Sequence, residues 1–139
     1  MPDTPDGLGN IAGIFTLPEW AAYQGNIVSD YKDGTLKDWG QYTYLEYTVA
    51  AGKTLYITAW TGANFAGASA DAGANQFCEA HIDDSTAGTT FMAIGGNGGF
   101  YVIFTPPIII PAAHKMRTEI LNRAPHACNQ RISWLGYLI

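Results

Sequence analysis

The sequence predicts an all-β protein, an antiparallel β-sandwich of the jelly-roll type that follows an extended N-terminal arm. The 139 residues include 16 glycines and only 14% are charged, which favours short strands and turns over long helices with charged faces. From Tyr42 onward polar and apolar residues alternate with a period of two, the pattern of strands with one buried face. About eight such runs recur at roughly 8–14 residues, a spacing typical of sandwiches and barrels.

The N-terminal part differs in composition from the rest of the chain. Residues 1–18 are rich in Pro, Gly, Asp and Asn and show no periodicity, so we predict an extended arm there. Pro18 to Asn26 has the signals of one or two helical turns, and Asp33-Gly34 is a strong turn signal. The predicted organisation is an arm and turn-rich segment over residues 1–40, followed by a sandwich domain over residues 41–139.

The arm contains apolar residues that a solvated segment would not need, among them Ile14 and Phe15. At ~3.3 Å per residue, its eighteen residues reach about 60 Å, far enough to cross onto a neighbouring subunit. Two interpretations remain open. The arm packs over its own domain, or it clasps a neighbour with Ile14 and Phe15 as anchors; the second predicts that deleting it abolishes assembly and leaves the sandwich folded.

Each predicted strand is a short alternating run bounded by turn residues. After the turn at Ala50–Lys53, for example, Leu55 and Ile57 form the apolar face. Further turns are predicted at Ser85–Gly88 and as a hairpin around Asn97-Gly98. The predicted strands are residues 42–49, 55–60, 77–83, 89–94, 100–105, 106–111, 116–121 and 131–139.

Gly52-Lys53-Thr54 matches the end of a phosphate-binding loop, but its surroundings do not. Such a loop needs an earlier glycine and a helix after the Lys-Thr pair, whose amides hold the phosphates. Here Tyr47 stands at the position of that glycine, and the residues after Lys53 alternate as a strand. We therefore predict a four-residue hairpin loop in which Gly52 adopts a positive φ.

The segment Val49 to Ile57 is similar in sequence to a second segment, Ile110 to Ile120. Both contain an apolar strand end, a pair of alanines, one further residue, a lysine and then a new strand. The repeat predicts two hairpins that close matching corners of the two-sheet fold. Coincidence among small turn residues is the alternative.

Charge and composition exclude several classes of partner. The net charge is −5 and the seven Lys and Arg form no cluster, so neither nucleic acid nor an anionic membrane is expected to bind. No apolar run approaches the ~20 residues of a membrane span, and we see no signal-peptide pattern at the N-terminus. Cys78 and Cys128 lack metal-binding spacing and are interpreted as buried thiols of a protein made in a reducing cytoplasm, with a disulfide as the alternative.

Glu79, His81 and Asp83 form the sharpest candidate for chemistry. They alternate along one strand, so their side chains share a face and are able to converge on a metal or supply acid–base groups. The segment has only one histidine, however, whereas cupin-type metal sites carry a His-x-His pair. We predict a structural polar face with a cross-strand ion pair to Arg117 or Lys115. No catalytic residues, metal or cofactor are predicted, and the chain is not expected to be an enzyme.

The aromatic residues point instead to an interface. The chain has 4 Trp, 8 Tyr and 6 Phe, more than one small sandwich core readily holds. Alternation predicts that Tyr42, Tyr44, Tyr56 and Trp60 lie opposite the core residues and form an exposed patch. The patch has three interpretations: coverage by residues 1–40, a subunit interface, or a sugar-stacking platform. The interface candidates are these four residues with Ile14, Phe15 and Trp20 of the arm segment.

Several stretches resemble small β-sandwich virion proteins of tailed bacteriophages, in particular the jelly-roll proteins that decorate or cement capsids. The similarity lies in "YTVAAGKTLYIT", the glycine-rich turns, "PIIIPAAHKMRTEI" and the C-terminal "GYLI". This chain departs from the family pattern at Ala50, where proline is more usual, and at His114, where glycine is.

The resemblance implies a non-enzymatic protein on the outer surface of a virion, made in the host cytoplasm. Its expected partners are the major capsid protein and further copies of itself, as a trimer rather than a dimer. The alternative is a tail-tip or fibre domain that recognises a host-surface sugar or protein. Small residues dominate Gly62 to Asn75, with Phe65 and Asp71 as exceptions, and a loop so poor in recognition groups favours the structural role.

Overall fold

The computed structural model describes residues 26–67 and 74–139, which form eight β-strands. No helix in these two ranges has the length and hydropathy needed to cross a membrane. The strands are β1 (Ile27–Lys37), β2 (Tyr42–Thr48), β3 (Leu55–Ala66), β4 (Phe77–Asp84), β5 (Thr89–Asn97), β6 (Gly99–Ile110), β7 (Lys115–Asn122) and β8 (Cys128–Leu138).

The strands form two four-stranded antiparallel sheets. Sheet A has the order β1-β8-β3-β6, and sheet B has the order β2-β7-β4-β5. Apart from β4 and β5, consecutive strands belong to different sheets, so the chain repeatedly crosses from one layer to the other. Two interlocked Greek keys of this kind make a jelly roll. The predicted fold class, an antiparallel β-sandwich of jelly-roll type, is confirmed.

The core lies between the sheets and is built by the predicted alternation. Along β7, for instance, every second residue from Met116 to Asn122 is buried. Each fully buried Leu, Ile or Met side chain contributes about 1.5–3 kcal/mol relative to its exposed state. The largest apolar core residues are Trp60, Leu55, Ile57, Ile82, Ile110, Met116, Ile120 and Ile132.

β1 was not predicted, and its presence corrects the interpretation of Asp33-Gly34 as a turn. The strand runs through this pair and is hydrogen-bonded to β8, with Asp33 opposite Arg131. Gly34 is buried at the edge where the two sheets meet, and a Cβ there would collide with the Thr43 hydroxyl of β2. Glycine therefore permits a close approach of two strands here. Residues 27–37 belong to the sandwich, although the boundary was predicted at residue 40.

The predictions for the first 25 residues lie outside the described part of the chain. They include the extended arm, the helical turns after Pro18, and the interface candidates Ile14, Phe15 and Trp20.

A bulge in β3 corrects the prediction for Trp60. The pairing shifts between Ile57 and Ala59, so one extra residue, Thr58, interrupts the alternation. Trp60 consequently points into the core on the same side as Ile57 and has no exposed surface. Its Nε1 donates a 2.7 Å hydrogen bond to Thr118 Oγ1 in the opposite sheet. Trp60 is therefore a core residue and is excluded from any surface patch.

The two similar segments do form matching corners. The Val49 amide donates to the His114 carbonyl, and the Ala113 amide donates to the Val49 carbonyl, both at 2.9 Å. Each corner contains a turn whose third residue has positive φ, 76° at Gly52 and 66° at Ala113. The positive φ predicted for Gly52 is confirmed, and β3 rather than a helix follows Lys53.

Two predicted hairpins proved to be corners between the sheets. Ala50–Lys53 connects β2 of sheet B to β3 of sheet A, and Gly98 connects β5 of sheet B to β6 of sheet A. Local turn signals specify that the chain reverses, but they do not specify which sheet the next strand joins. The two short strands predicted at residues 100–111 are a single strand, β6.

Candidate functional site

The outer face of sheet A is unusually apolar for a solvent-facing surface. Its residues form rows across the four strands, since the pairing places Ile27, Tyr137, Tyr56 and Ile109 side by side. The next rows are Ser29, Leu135, Ala59 and Ile103, then Tyr31, Ser133, Thr61 and Tyr101. We call these three rows the apolar face. Its most exposed side chains are Tyr101 at 69%, Tyr31 at 60%, Ile103 at 57%, Ile109 at 53% and Ile27 at 50%.

Two tyrosine rings stack within the first row of the apolar face. The rings of Tyr56 and Tyr137 stack with centroids 5.0 Å apart and planes 7° from parallel. Tyr137 is only 6% exposed, although it belongs to an outward-facing row. The most exposed side chains of the face lie on its two edge strands, β1 and β6.

The fourth row of sheet A carries the charges, and they neutralise each other. The Arg131 guanidinium donates two hydrogen bonds to the Asp33 carboxylate, at 2.6 and 2.9 Å. These bonds, with the attraction of the same cation, hold the pKa of Asp33 below its usual value. Arg131 also lies 4.9 Å from the Tyr31 ring centroid. A partner that docked on this face would therefore bury the Asp33–Arg131 ion pair and no unpaired charge.

The outer face of sheet B is rich in charged side chains, which form ion pairs with one another and with neighbouring residues. Its rows are Tyr42, Leu121, Glu79 and Gly95, then Tyr44, Glu119, His81 and Ala93, then Glu46, Arg117, Asp83 and Thr90. Arg117 Nη2 donates to Glu119 at 2.9 Å, and Arg123 lies 3.3 Å from Glu79. We call this surface the ionic face.

Glu79, His81 and Asp83 lie together on the ionic face, as the alternation predicted. His81 is held between two carboxylates, with Nδ1 3.3 Å from Asp83 and Nε2 3.3 Å from Glu119. The ion-pair partner of Glu79 is Arg123, and neither Arg117 nor Lys115 pairs with the three predicted residues. Among the described residues, no group of three His, Cys, Asp or Glu side chains has a geometry suited to a metal ion.

The predicted aromatic patch does not exist as a single surface. Tyr42 and Tyr44 lie on the ionic face, each 45% exposed, with ring centroids 6.0 Å apart. Tyr56 lies on the apolar face at the opposite side of the sandwich, and Trp60 is in the core. The prediction was wrong because β2 and β3, consecutive in the chain, belong to different sheets.

The exposed residues of β6 were missed. In "FYVIF" every position is apolar, so alternation does not identify Tyr101 and Ile103 as outward-facing. A usable signal was the absence of any charged residue from 89 to 110, since an edge strand normally carries charges that protect it from association.

An acid-sensitive contact joins the turn between β4 and β5 to the corner between β6 and β7. His114 Nδ1 lies 2.6 Å from Oδ2 of Asp84, which is 3% exposed, and Oδ1 accepts the amides of Thr86 and Ala87. Burial acts to raise the pKa of Asp84, but the hydrogen bonds from His114 and Ala87 outweigh it and hold the pKa below its usual value.

The two cysteines are buried thiols and are not bonded to each other, in agreement with the sequence interpretation. Burial raises the pKa of the Cys78 thiol, so this side chain stays protonated and unreactive at neutral pH.

No protein-family model matches the chain, and no curated protein sequence matches it. Solved structures similar to the chain over most of its length include the following two. TmCBM61 in complex with β-1,4-galactotriose gives a TM-score of 0.39 at 9% identity, covering 85% of this chain and 93% of that one. Dimeric latent PorU from Porphyromonas gingivalis gives 0.30 at 5% identity, covering 81% of this chain and 13% of that one. Similarity at this level does not bear on what the chain binds.

Proposed function

We propose that the chain is a non-catalytic structural module that docks on another protein through its apolar face. The setting that the sequence resemblance implies is the outer surface of a phage capsid, where the chain acts as a cement or decoration protein on the major capsid protein. The observation that carries the proposal is the set of three aligned rows in which Tyr31, Tyr101, Ile103 and Ile109 are more than half exposed.

The chemistry of the face favours a protein partner. Tyrosine and large aliphatic residues are typical of the centre of protein interfaces, from which unpaired charges are depleted. Nucleic acid and anionic lipid both require Lys or Arg that is able to reach phosphates. The one arginine beside this face, Arg131, is already bound to Asp33.

The size of the face suggests how it acts. Four strands at ~4.8 Å and five residues per strand at ~3.3 Å give roughly 300 Å², less than half of what each partner contributes to an interface of standard size. One such contact alone is weak. Copies joined in a trimer would engage a symmetric shell simultaneously, and linked contacts gain avidity that no single contact has. We therefore propose that the chain is a homo-oligomer on the particle.

A binding experiment on particles tests the proposal. Tyr101→Ser combined with Ile103→Ser is expected to abolish co-sedimentation with shells that lack the protein, with no loss of thermal stability because both side chains are exposed. Tyr42→Ser combined with Tyr44→Ser on the ionic face is the matched control and should still bind. Cryo-microscopy of the native particle should show sheet A against the shell; density only at the tail, or binding that survives the first pair of substitutions, would overturn the proposal.

The second candidate is a tail-tip or fibre domain that recognises a host-surface sugar or protein. The observation favouring it is a depression in the ionic face, lined by residues of β4, β5 and β7, that has the volume of a ligand pocket.

A further inference from the structure

The depression in the ionic face is open to solvent and has a volume of about 460 Å³, within the range of small-molecule sites. It lies beside the edge strand β5, on the side of the sandwich opposite the apolar face. The residues that give it its character are Phe77, Glu79, His81, Ala93, Gly95 and Glu119.

Its floor and one wall are apolar. Ala93 and Gly95 on β5 lie opposite His81 and Glu79, so small residues leave space beside long polar ones. A Cβ at Gly95 would lie only 3.3 Å from Cζ of Phe77, which shows that the phenyl ring rests against the glycine backbone. Phe77 is 37% exposed and thus offers part of its ring to a ligand.

The other wall consists of the polar side chains of Glu79, His81 and Glu119. Glu119 accepts a 2.9 Å hydrogen bond from Arg117 and lies 3.3 Å from His81, whereas Glu79 is half exposed and lies 3.3 Å from Arg123. A carboxylate has about four acceptor positions, so each of these retains capacity for further hydrogen bonds. Because the Glu119 side chain is already held by Arg117, a ligand that bound it would lose little extra side-chain entropy.

We propose that this depression binds one ring of a neutral saccharide. Saccharides present an apolar C–H surface and a rim of hydroxyl donors, which match the Phe77 ring and the carboxylates of Glu79 and Glu119. An anionic ligand would be repelled by Glu79 and Glu119. A wholly apolar ligand would remove water from these carboxylates without replacing the hydrogen bonds that the water makes. The site is independent of docking through the apolar face, since it lies on the other sheet.

An NMR titration of the amide resonances tests the inference. The probes are glucose, galactose, N-acetylglucosamine and the disaccharide lactose, taken into the millimolar range, where ligands with about 4 kcal/mol of binding energy saturate. At least one is expected to give saturable shifts confined to amides around the depression. Ala93→Tyr should abolish them by filling the space, and Phe77→Ala should weaken binding roughly tenfold through lost stacking.

Thr89→Tyr is the matched control, because it places the same side chain at an exposed position of the same strand, beyond the depression. It should bind as the unmodified protein does. Absence of saturable shifts with all four sugars, undiminished shifts in both Ala93→Tyr and Phe77→Ala, or shifts confined to sheet A would overturn the inference. The variant carrying Tyr101→Ser and Ile103→Ser should keep sugar binding, so failure of the docking proposal remains distinguishable.

Discussion

The two outer faces of the sandwich have the same architecture and opposite chemistry. On sheet A, three consecutive rows are apolar or hydroxyl-bearing, and the single ion pair in the row beyond them is closed on itself. On sheet B, the same alternation places Glu46, Glu79, Asp83, Arg117 and Glu119 outward, tied to one another or to His81, Lys115 and Arg123.

The difference teaches that the two faces suit different kinds of contact. Removing water from the apolar face gains free energy in proportion to its area, about 25 cal/mol per Å². Removing water from the ionic face costs desolvation of each charge, and the existing pairs repay this only with good geometry. Sheet A is therefore suited to a dry protein interface, and sheet B to a ligand that leaves the ions hydrated or replaces their water with hydroxyls.

The largest effect is expected from Trp60, which the sequence assigned to a surface and the structure assigns to the core. Trp60→Ala should cost about 3–5 kcal/mol of unfolding free energy, because it leaves a cavity and removes the partner of Thr118 Oγ1. Tyr101→Ala, a strongly exposed aromatic, should cost less than about 0.5 kcal/mol. Denaturant unfolding measures both, and equal losses would contradict this division into core and face.

Lowering the pH should show how much the buried Asp84 carboxylate contributes to the stability of the sandwich. Asp84→Asn should cost about 1.5–3 kcal/mol at pH 7, through weaker bonds to His114 and to two amides. Because the folded pKa is lowered, this contribution is complete above the unfolded carboxyl pKa of ~3.9 and is lost as pH falls through the folded pKa. Thermal melts should thus show the gap between the two proteins closing at acid pH; a gap that persists unchanged would argue against the assignment.

A smaller effect is expected at the corner that joins the sheets. Gly52→Val should cost about 1–3 kcal/mol, because a β-branched residue is strained at φ 76° although nothing crowds the site. Lys53→Ala in the same turn should change stability by less than about 0.5 kcal/mol. Chemical denaturation of the two variants gives the comparison, and tight ATP binding that Lys53→Ala abolishes would restore the phosphate-loop interpretation.

The smallest effect on folding is expected at the ion pair of sheet A. Arg131→Gln should leave the melting temperature unchanged, since both partners are exposed. The same variant should weaken particle binding roughly tenfold, because docking then buries Asp33 without its cation. Adding Asp33→Asn should restore most of the affinity. If the double variant binds as poorly as Arg131→Gln alone, the ion pair does not act by keeping the docked surface electrically neutral.

Strand content, the jelly-roll class and the paired corners were predictable from the chain because each depends on local pattern. Period-two alternation located β2, β4 and β7, and small residues marked the turns. Which exposed residues share a surface was less predictable. Tyr42 and Tyr56 carry the same alternation signal but lie on opposite sides of the molecule, since the assignment of a strand to a sheet is a long-range property.

By itself the sequence determined that the chain folds as an antiparallel sandwich, that Gly52 takes a positive φ, and that Glu79, His81 and Asp83 share a face. Side-chain alternation and glycine conformation act within a few residues, so they can be read without the fold. The tertiary structure alone decided that Asp33-Gly34 lies within a strand, that a bulge turns Trp60 inward, and that Tyr31 joins Tyr101 in one row. Each of these depends on the register between strands distant in the chain, which packing of the two sheets sets and no local pattern encodes.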